Sequence, residues 1–209
     1  MSIKENLEKI KAAAGSATIV AVTKGVPIEE MLEAIKAGVT DIGENRIQEA
    51  LLKIPNLKLQ TSNVKFHMIG HLQTNKVKTA LELFDVIQSV DSLHLAEEIS
   101  KRAAKPVEIM IEVNTSGEES KYGVQPEKTL ELVRQVSGLP NLKVTGLMTI
   151  GPMTSDLRPI KQAFRKLREL RDQAGLKHLS MGMSDDYPLA IEEGSDIIRI
   201  GRVLFQKEE

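Results

Sequence analysis

The chain contains no cysteine and no tryptophan among its 209 residues, and its other aromatics amount to four Phe and two Tyr. Without cysteine there can be no disulfide, no thiol nucleophile and no cysteine-ligated metal, so redox logic sets no compartment. An excess of charge of one sign is also missing. Lys and Arg number 28 against 29 Asp and Glu, and no stretch is a long run of like charge, which argues against bulk binding to nucleic acid or membrane. No apolar run approaches the roughly 20 residues needed to span a bilayer. Residues 1–10 mix acids with bases and lack the apolar heart of a signal peptide. A cytoplasmic protein is the expectation.

What is present is a regular alternation. Short apolar, β-branched runs occur at 18–24, 39–43, 65–70, 86–91, 107–114, 143–150, 178–181 and 196–201. Segments of helical period lie between them at 28–37, 46–52, 74–84, 93–104, 126–136, 159–174 and 185–193, and a further helix is expected at 3–14. Alternating strands and helices describe a parallel sheet covered by helices. Eight evenly spaced repeats suit a (β/α)8 barrel, an α/β fold, better than an open sheet. One domain over 1–209 is expected, with long irregular segments only at 115–125 and 151–158, both of which follow strands.

The ends of these strands differ chemically from their bodies. In order they carry Lys24, Glu44 and Asn45, His71, Asp91, Asn114, Met148 and Thr149, Ser184, and Arg199. In a barrel such positions converge on one face, the face that holds active sites. Lys24 follows the apolar run Thr18-Ile19-Val20-Ala21-Val22 closely. Burial there would favour a neutral, nucleophilic amine, although a lysine that only caps the strand and reaches water is the commoner case. The turns Ser180-Met181-Gly182-Met183-Ser184-Asp185-Asp186 and Arg199-Ile200-Gly201-Arg202 supply glycines, a hydroxyl and helix-opening N–H groups. These are the means of holding a phosphate after the last two strands; alternatively Gly182 and Gly201 are plain turn glycines and Ser184 a helix N-cap. Arg199, between Ile198 and Ile200, needs an acceptor: a carboxylate such as Asp185 or Glu44, or a ligand.

Other chemistries fit poorly. His67 and His71 are four apart, but Gly70 breaks the helix that would pair them as metal ligands, so one core histidine and one turn histidine are expected. No Ser has a convincing His and Asp arrangement for acyl transfer. The 114–123 segment is not a Walker loop, since Lys121 lacks the preceding glycine.

Several segments, taken in order, resemble the pyridoxal 5′-phosphate homeostasis family, which shares the alanine racemase barrel without its second domain. They are Ala21-Val22-Thr23-Lys24, Ile42-Gly43-Glu44-Asn45, residues 66–76, residues 113–123, Gly146-Leu147-Met148-Thr149-Ile150, residues 179–186 and Arg199-Ile200-Gly201. The resemblance implies pyridoxal 5′-phosphate as cofactor, carried as a Schiff base on Lys24. It also implies Asn45 near the ring hydroxyl, Arg199 at the ring nitrogen, Met148 at the site, and Ser184, Gly201 and the backbone of Arg202 at the phosphate. Arg46 stands where the family often has tyrosine, and Arg202 where a small hydroxyl residue is common. The residues after Phe205 lack the usual glycine.

The implied function is intracellular vitamin B6 homeostasis without turnover, with no catalytic residue. PLP-dependent apoenzymes are the implied recipients, and a monomer or weak dimer the implied state. The alternative is a PLP-dependent amino-acid racemase, which needs a second acid or base opposite Lys24; only Tyr122 and Tyr187 offer a phenol. A third reading, a cofactor-free Schiff-base aldolase, leaves Arg199 and the phosphate turns less well explained.

Overall fold

A computed structural model describes residues 2–206; the outermost residues of the expected 1–209 domain, including the end of the tail after Phe205, lie outside the described part. The strands are β1 (Thr18–Val22), β2 (Asp41–Glu44), β3 (Lys65–Met68), β4 (Val86–Val90), β5 (Val107–Glu112), β6 (Leu142–Met148), β7 (His178–Ser180) and β8 (Ile197–Ile200). All are parallel, and β8 pairs with β1 to close the barrel. The expected (β/α)8 architecture is therefore the observed one.

Apart from the openings of β3 and β6, both faces of the strands are largely buried, one under helices and one inside the barrel, which is why they read as near-continuous apolar runs. Because side chains alternate, Ile198 and Ile200 of β8 join the main core beneath the helices while Ile197 and Arg199 point inward. Val20, Met110, Met148 and Ile197 form a small apolar cluster of their own. It is the inner packing of the barrel, contributed by β1, β5, β6 and β8.

The helices are α1 (Ile3–Ala14), α2 (Ile28–Lys36), α3 (Ile47–Gln60), α4 (Val77–Leu83) after a 3-10 turn (Thr74–Lys76), α5 (Leu93–Arg102), α6 (Pro126–Ser137), α7 (Leu157–Ala174), α8 (Tyr187–Glu192) and α9 (Arg202–Phe205). In α7, Ile160, Ala163, Phe164, Leu167 and Leu170 are buried on one stripe. Full burial of a Leu or Phe is worth about 1.5–3 kcal/mol, so this face holds the helix more than propensity does. Asp156 caps its start and Gly175, left-handed at φ 65°, ends it. Among the described residues, no helix is long and apolar enough to cross a membrane.

Three boundaries depart from expectation. Helix α3 runs to Gln60 through Pro55 instead of ending at 52, because Ile54 and Leu57 continue its buried face and that packing outweighs the proline. Helix α7 begins at Leu157, ahead of Pro159, which sits in the first turn where its missing N–H costs nothing. The short α9 was not anticipated. It is held to α1 by Asn6, whose buried amide donates to Leu204 O at 3.1 Å and Gln206 O at 2.9 Å.

Candidate functional site

The C-terminal rim of the barrel gathers the polar residues. Strand β1 stops at Val22, and Lys24 lies in the turn that follows, exposed and with no hydrogen bond or ion pair among the described residues. Of the two readings of this amine, the structure bears out the commoner one, a lysine that reaches water: the strand ends too early to cover it. What is fixed is the backbone on either side. Thr23 Oγ1 donates to Glu44 Oε1 at 2.7 Å, and Lys53 Nζ donates to Thr23 O at 2.8 Å and to Glu44 Oε1 at 3.0 Å. Gly25 N donates to Glu49 Oε2 at 3.1 Å. That N–H bond, aided by Lys53, holds the Glu49 carboxyl below the usual range despite some burial. Glu44 therefore faces α3 and not the mouth, contrary to its place among the converging strand ends.

Just past the next strand, β2, Asn45 Oδ1 is buried and has no hydrogen-bond partner among the described residues. Gly70 packs directly on the Asn45 backbone, and a Cβ at 70 would collide with the Asn45 carbonyl. The β3 turn thereby holds Asn45 in place. On the other side of β1, the turns after β7 and β8 meet each other: Val203 N approaches Ser184 Oγ at 3.4 Å. Gly182 is left-handed at φ 94°, a conformation open to glycine at little cost. Ser184 is not the cap of α8, whose N-cap position is Asp186. Asp186 Oδ1 accepts from Met183 N at 2.6 Å, and burial, only partly offset by that bond, raises its carboxyl pKa. The side chain of Arg202 pairs with Asp185 at the surface.

Arg199 is 4% exposed and has neither of the carboxylates considered for it. Its Nη1 donates to Ser180 Oγ and its Nη2 to Thr149 O, each at 2.7 Å. Asp185 is taken by Arg202, and Glu44 by Lys53. Burial lowers the guanidinium to about 10, with Glu112 and Asp186 opposing, so it remains charged at neutral pH. Ser180 Oγ in turn donates to Gln88 Oε1 at 2.6 Å, Gln88 Nε2 meets His67 Nδ1 at 3.0 Å, and His67 Nε2 meets Asp41 Oδ1 at 2.8 Å. Glu112, at the end of β5, is 5% exposed; burial and then the nearby Asp91 charge push it up to about 7, with Arg199 opposing.

His67 is the expected core histidine and His71 the turn histidine. The His71 ring stacks on Tyr122 with centroids 3.9 Å apart, and its Nδ1 lies 3.6 Å from Asp91 Oδ2. Tyr122 belongs to the 115–125 loop, which Asn114 organises by donating to Glu118 O at 2.8 Å and Lys121 O at 3.2 Å. Lys121 ties that loop to Gly151 O at 2.7 Å.

Of the residues expected at the site, Lys24, Asn45, Ser184 and Gly201 lie in the turns after β1, β2, β7 and β8, strands that are neighbours around the barrel, and Arg202 opens α9 directly after Gly201. Arg199 lies just inside and Met148 in the apolar layer. Residues not foreseen are Lys53 and Glu49, which nothing in the local pattern marked, and Gln88 with Glu112. The last two had a signal, since each is a polar side chain in an apolar strand run. A free primary amine, an unpaired amide oxygen, a fixed cation and glycine turns can together hold an anionic aldehyde.

Comparison with known proteins points the same way. A family model described as alanine racemase, N-terminal domain, matches residues 1–208. A protein of Aquifex aeolicus named pyridoxal phosphate homeostasis protein is 44% identical, covering 97% of this chain and 92% of its own. The solved structure of PipY from Synechococcus elongatus without PLP superposes with a TM-score of 0.92 at 35% identity, over 98% of this chain and 100% of that one. The same protein with PLP bound gives 0.89 at 34%, over 98% and 100%. An alanine racemase of Clostridium difficile shares the fold at a TM-score of 0.82 and 16% identity, this chain covering 57% of it.

Proposed function

The chain belongs to the pyridoxal phosphate homeostasis protein family, built on the alanine racemase N-terminal domain, and from that premise we propose that it binds pyridoxal 5′-phosphate and keeps it available, without turning over a substrate. The observation that carries this reading is the pair formed by Lys24 and Asn45. One offers an amine without a partner, and the other one of the four buried side-chain atoms that lack a hydrogen bond among the described residues. Both lie at the rim where PipY, a close structural relative, shares the same barrel.

In this reading Lys24 makes the covalent link, Asn45 receives the ring hydroxyl, and Ser184, Gly201 and the Arg202 backbone hold the phosphate. Met148 belongs to the apolar floor beneath. The bound group supplies an aldehyde for the amine and a pyridine ring that can withdraw electrons. Arg199 donates hydrogen bonds and accepts none, so it gives the ring nitrogen no help in taking a proton and weakens the ring as an electron sink. Tyr122 is stacked on His71, and Tyr187 is packed against the core at the start of α8. Neither phenol is paired with Lys24 among the described residues, which favours holding over racemisation. We read 1–209 as one cofactor-binding domain whose recipients are PLP-dependent apoenzymes.

The test is an absorbance spectrum of the protein loaded with pyridoxal 5′-phosphate, before and after borohydride, followed by peptide mass mapping. The pyridoxyl group is expected on Lys24, and Lys24→Ala should abolish the covalent adduct while leaving some noncovalent binding. A pyridoxyl group on another lysine of the unmutated protein refutes the assignment.

A further inference from the structure

Five side chains from five strands cross the barrel interior in a single line: Arg199 on β8, Ser180 on β7, Gln88 on β4, His67 on β3 and Asp41 on β2. All are buried. The two ends set the direction of every bond between them. A guanidinium can only donate, so Ser180 Oγ accepts from Arg199 and must send its own proton on. Its remaining polar neighbour in the line is Gln88, which therefore turns its carbonyl oxygen to Ser180 and its NH2 to His67. His67 Nδ1 then accepts, leaving Nε2 to carry the proton toward Asp41. At that end burial works against an ionised Asp41, but the bonds from His67 and from Thr40 outweigh it and hold the carboxyl below its ordinary range, so Asp41 is an acceptor. Flipping the Gln88 amide would set its NH2 against a hydroxyl that already accepts from Arg199, and would leave the Ser180 proton with no acceptor.

We propose that Gln88 is a positioning residue for the cofactor site: through Ser180 it fixes the Arg199 guanidinium, and the one-way line of bonds leaves His67 Nδ1 as an acceptor with the ring proton on Nε2. This rests on the reading of Arg199 as the group at the ring nitrogen. The line has no slack at Ser180, whose hydroxyl is used in both directions. Loss of the Gln88 oxygen frees the hydroxyl to rotate, and the guanidinium then keeps the Thr149 carbonyl as its one fixed acceptor.

Two experiments separate the parts. In cofactor-free protein labelled with nitrogen-15 at histidine, long-range proton–nitrogen correlation at neutral pH should give His67 the pattern of the Nε2–H tautomer. An Nδ1–H or doubly protonated ring overturns the polarity of the line. Gln88→Glu keeps an acceptor for Ser180 but has no amide N–H for His67; it should leave the visible cofactor band and the affinity close to those of the parent while His67 becomes doubly protonated. Gln88→Leu, of similar volume, should shift the band and weaken binding by about tenfold, the scale of one hydrogen bond to a charged group. Equal behaviour of the two variants, or an unchanged band and affinity in Gln88→Leu, refutes the positioning role. If unmutated protein gives no cofactor band, the binding reading and the positioning role fall together, whereas the His67 pattern still decides the direction of the bonds.

Discussion

Lys24 and Arg199 are the two cations proposed to meet the cofactor, and the molecule treats them in opposite ways. Lys24 is exposed and its amine has no partner among the described residues, yet the residues on both sides are anchored by Glu44, Lys53 and Glu49. Arg199 is buried and its head group is held at two points, with a line of hydrogen bonds behind it. A group that must form a bond needs its nitrogen free and its backbone fixed. A group that must only meet one atom of a ligand needs its donors aimed in advance, because ordering them on binding would cost conformational entropy. The contrast places reactivity in a supported turn and recognition in the barrel interior.

The largest expected effect breaks the Lys24 side. Lys53→Met leaves Glu44 buried without its cation, and loss of one partner of such a pair destabilises by about 3–5 kcal/mol. Urea denaturation of the cofactor-free protein should show that loss, and borohydride trapping at Lys24 should slow as the turn loosens. A denaturation midpoint equal to the parent's would mean that the pair does not hold the turn.

The next prediction sharpens the Arg199 side. Glu112 is pushed up to about 7 when folded, against an ordinary value of 4.5, so between those values the folded protein retains a proton that the unfolded chain loses. Stability must then fall as pH rises through this window and level off above it. Glu112→Gln removes that penalty. It should match the parent near pH 4 and exceed it at pH 8 by roughly 3 kcal/mol. Parallel stability curves for the two proteins across this range would rule out the raised carboxyl.

The smallest effect asks whether the phosphate turn is independent of both cations. Ser184→Ala should weaken cofactor binding by about 1–3 kcal/mol, the worth of a hydrogen bond to a charged group, with an unaltered visible band. An unchanged dissociation constant in a cofactor titration would reduce Ser184 to its contact with Val203 N.

Much of this architecture was legible without coordinates. All eight strands lie within the runs that their apolar pattern marks, apart from one residue at each of two ends. Lys24, Asn45, Ser184 and Gly201 were identifiable by their position just past strand ends. Whether Lys24 is buried or reaches water was left between two readings, since it depends on where β1 stops pairing with β2 and β8. The passage of α3 through Pro55 was equally hidden, because local rules end a helix there and only the buried Ile54 and Leu57 carry it on.

The amino-acid order by itself determined the periods of two and 3.6, the turn glycines and the sequence of polar strand ends, because these depend on neighbours along the chain. The partners of the buried polar groups were decided by tertiary structure alone. Gln88 and Ser180 are 92 residues apart, on strands that are not adjacent in the barrel. Their hydrogen bond exists because closure buries both side chains inside the barrel, away from bulk solvent, where each polar group must be satisfied by whatever the opposite wall presents.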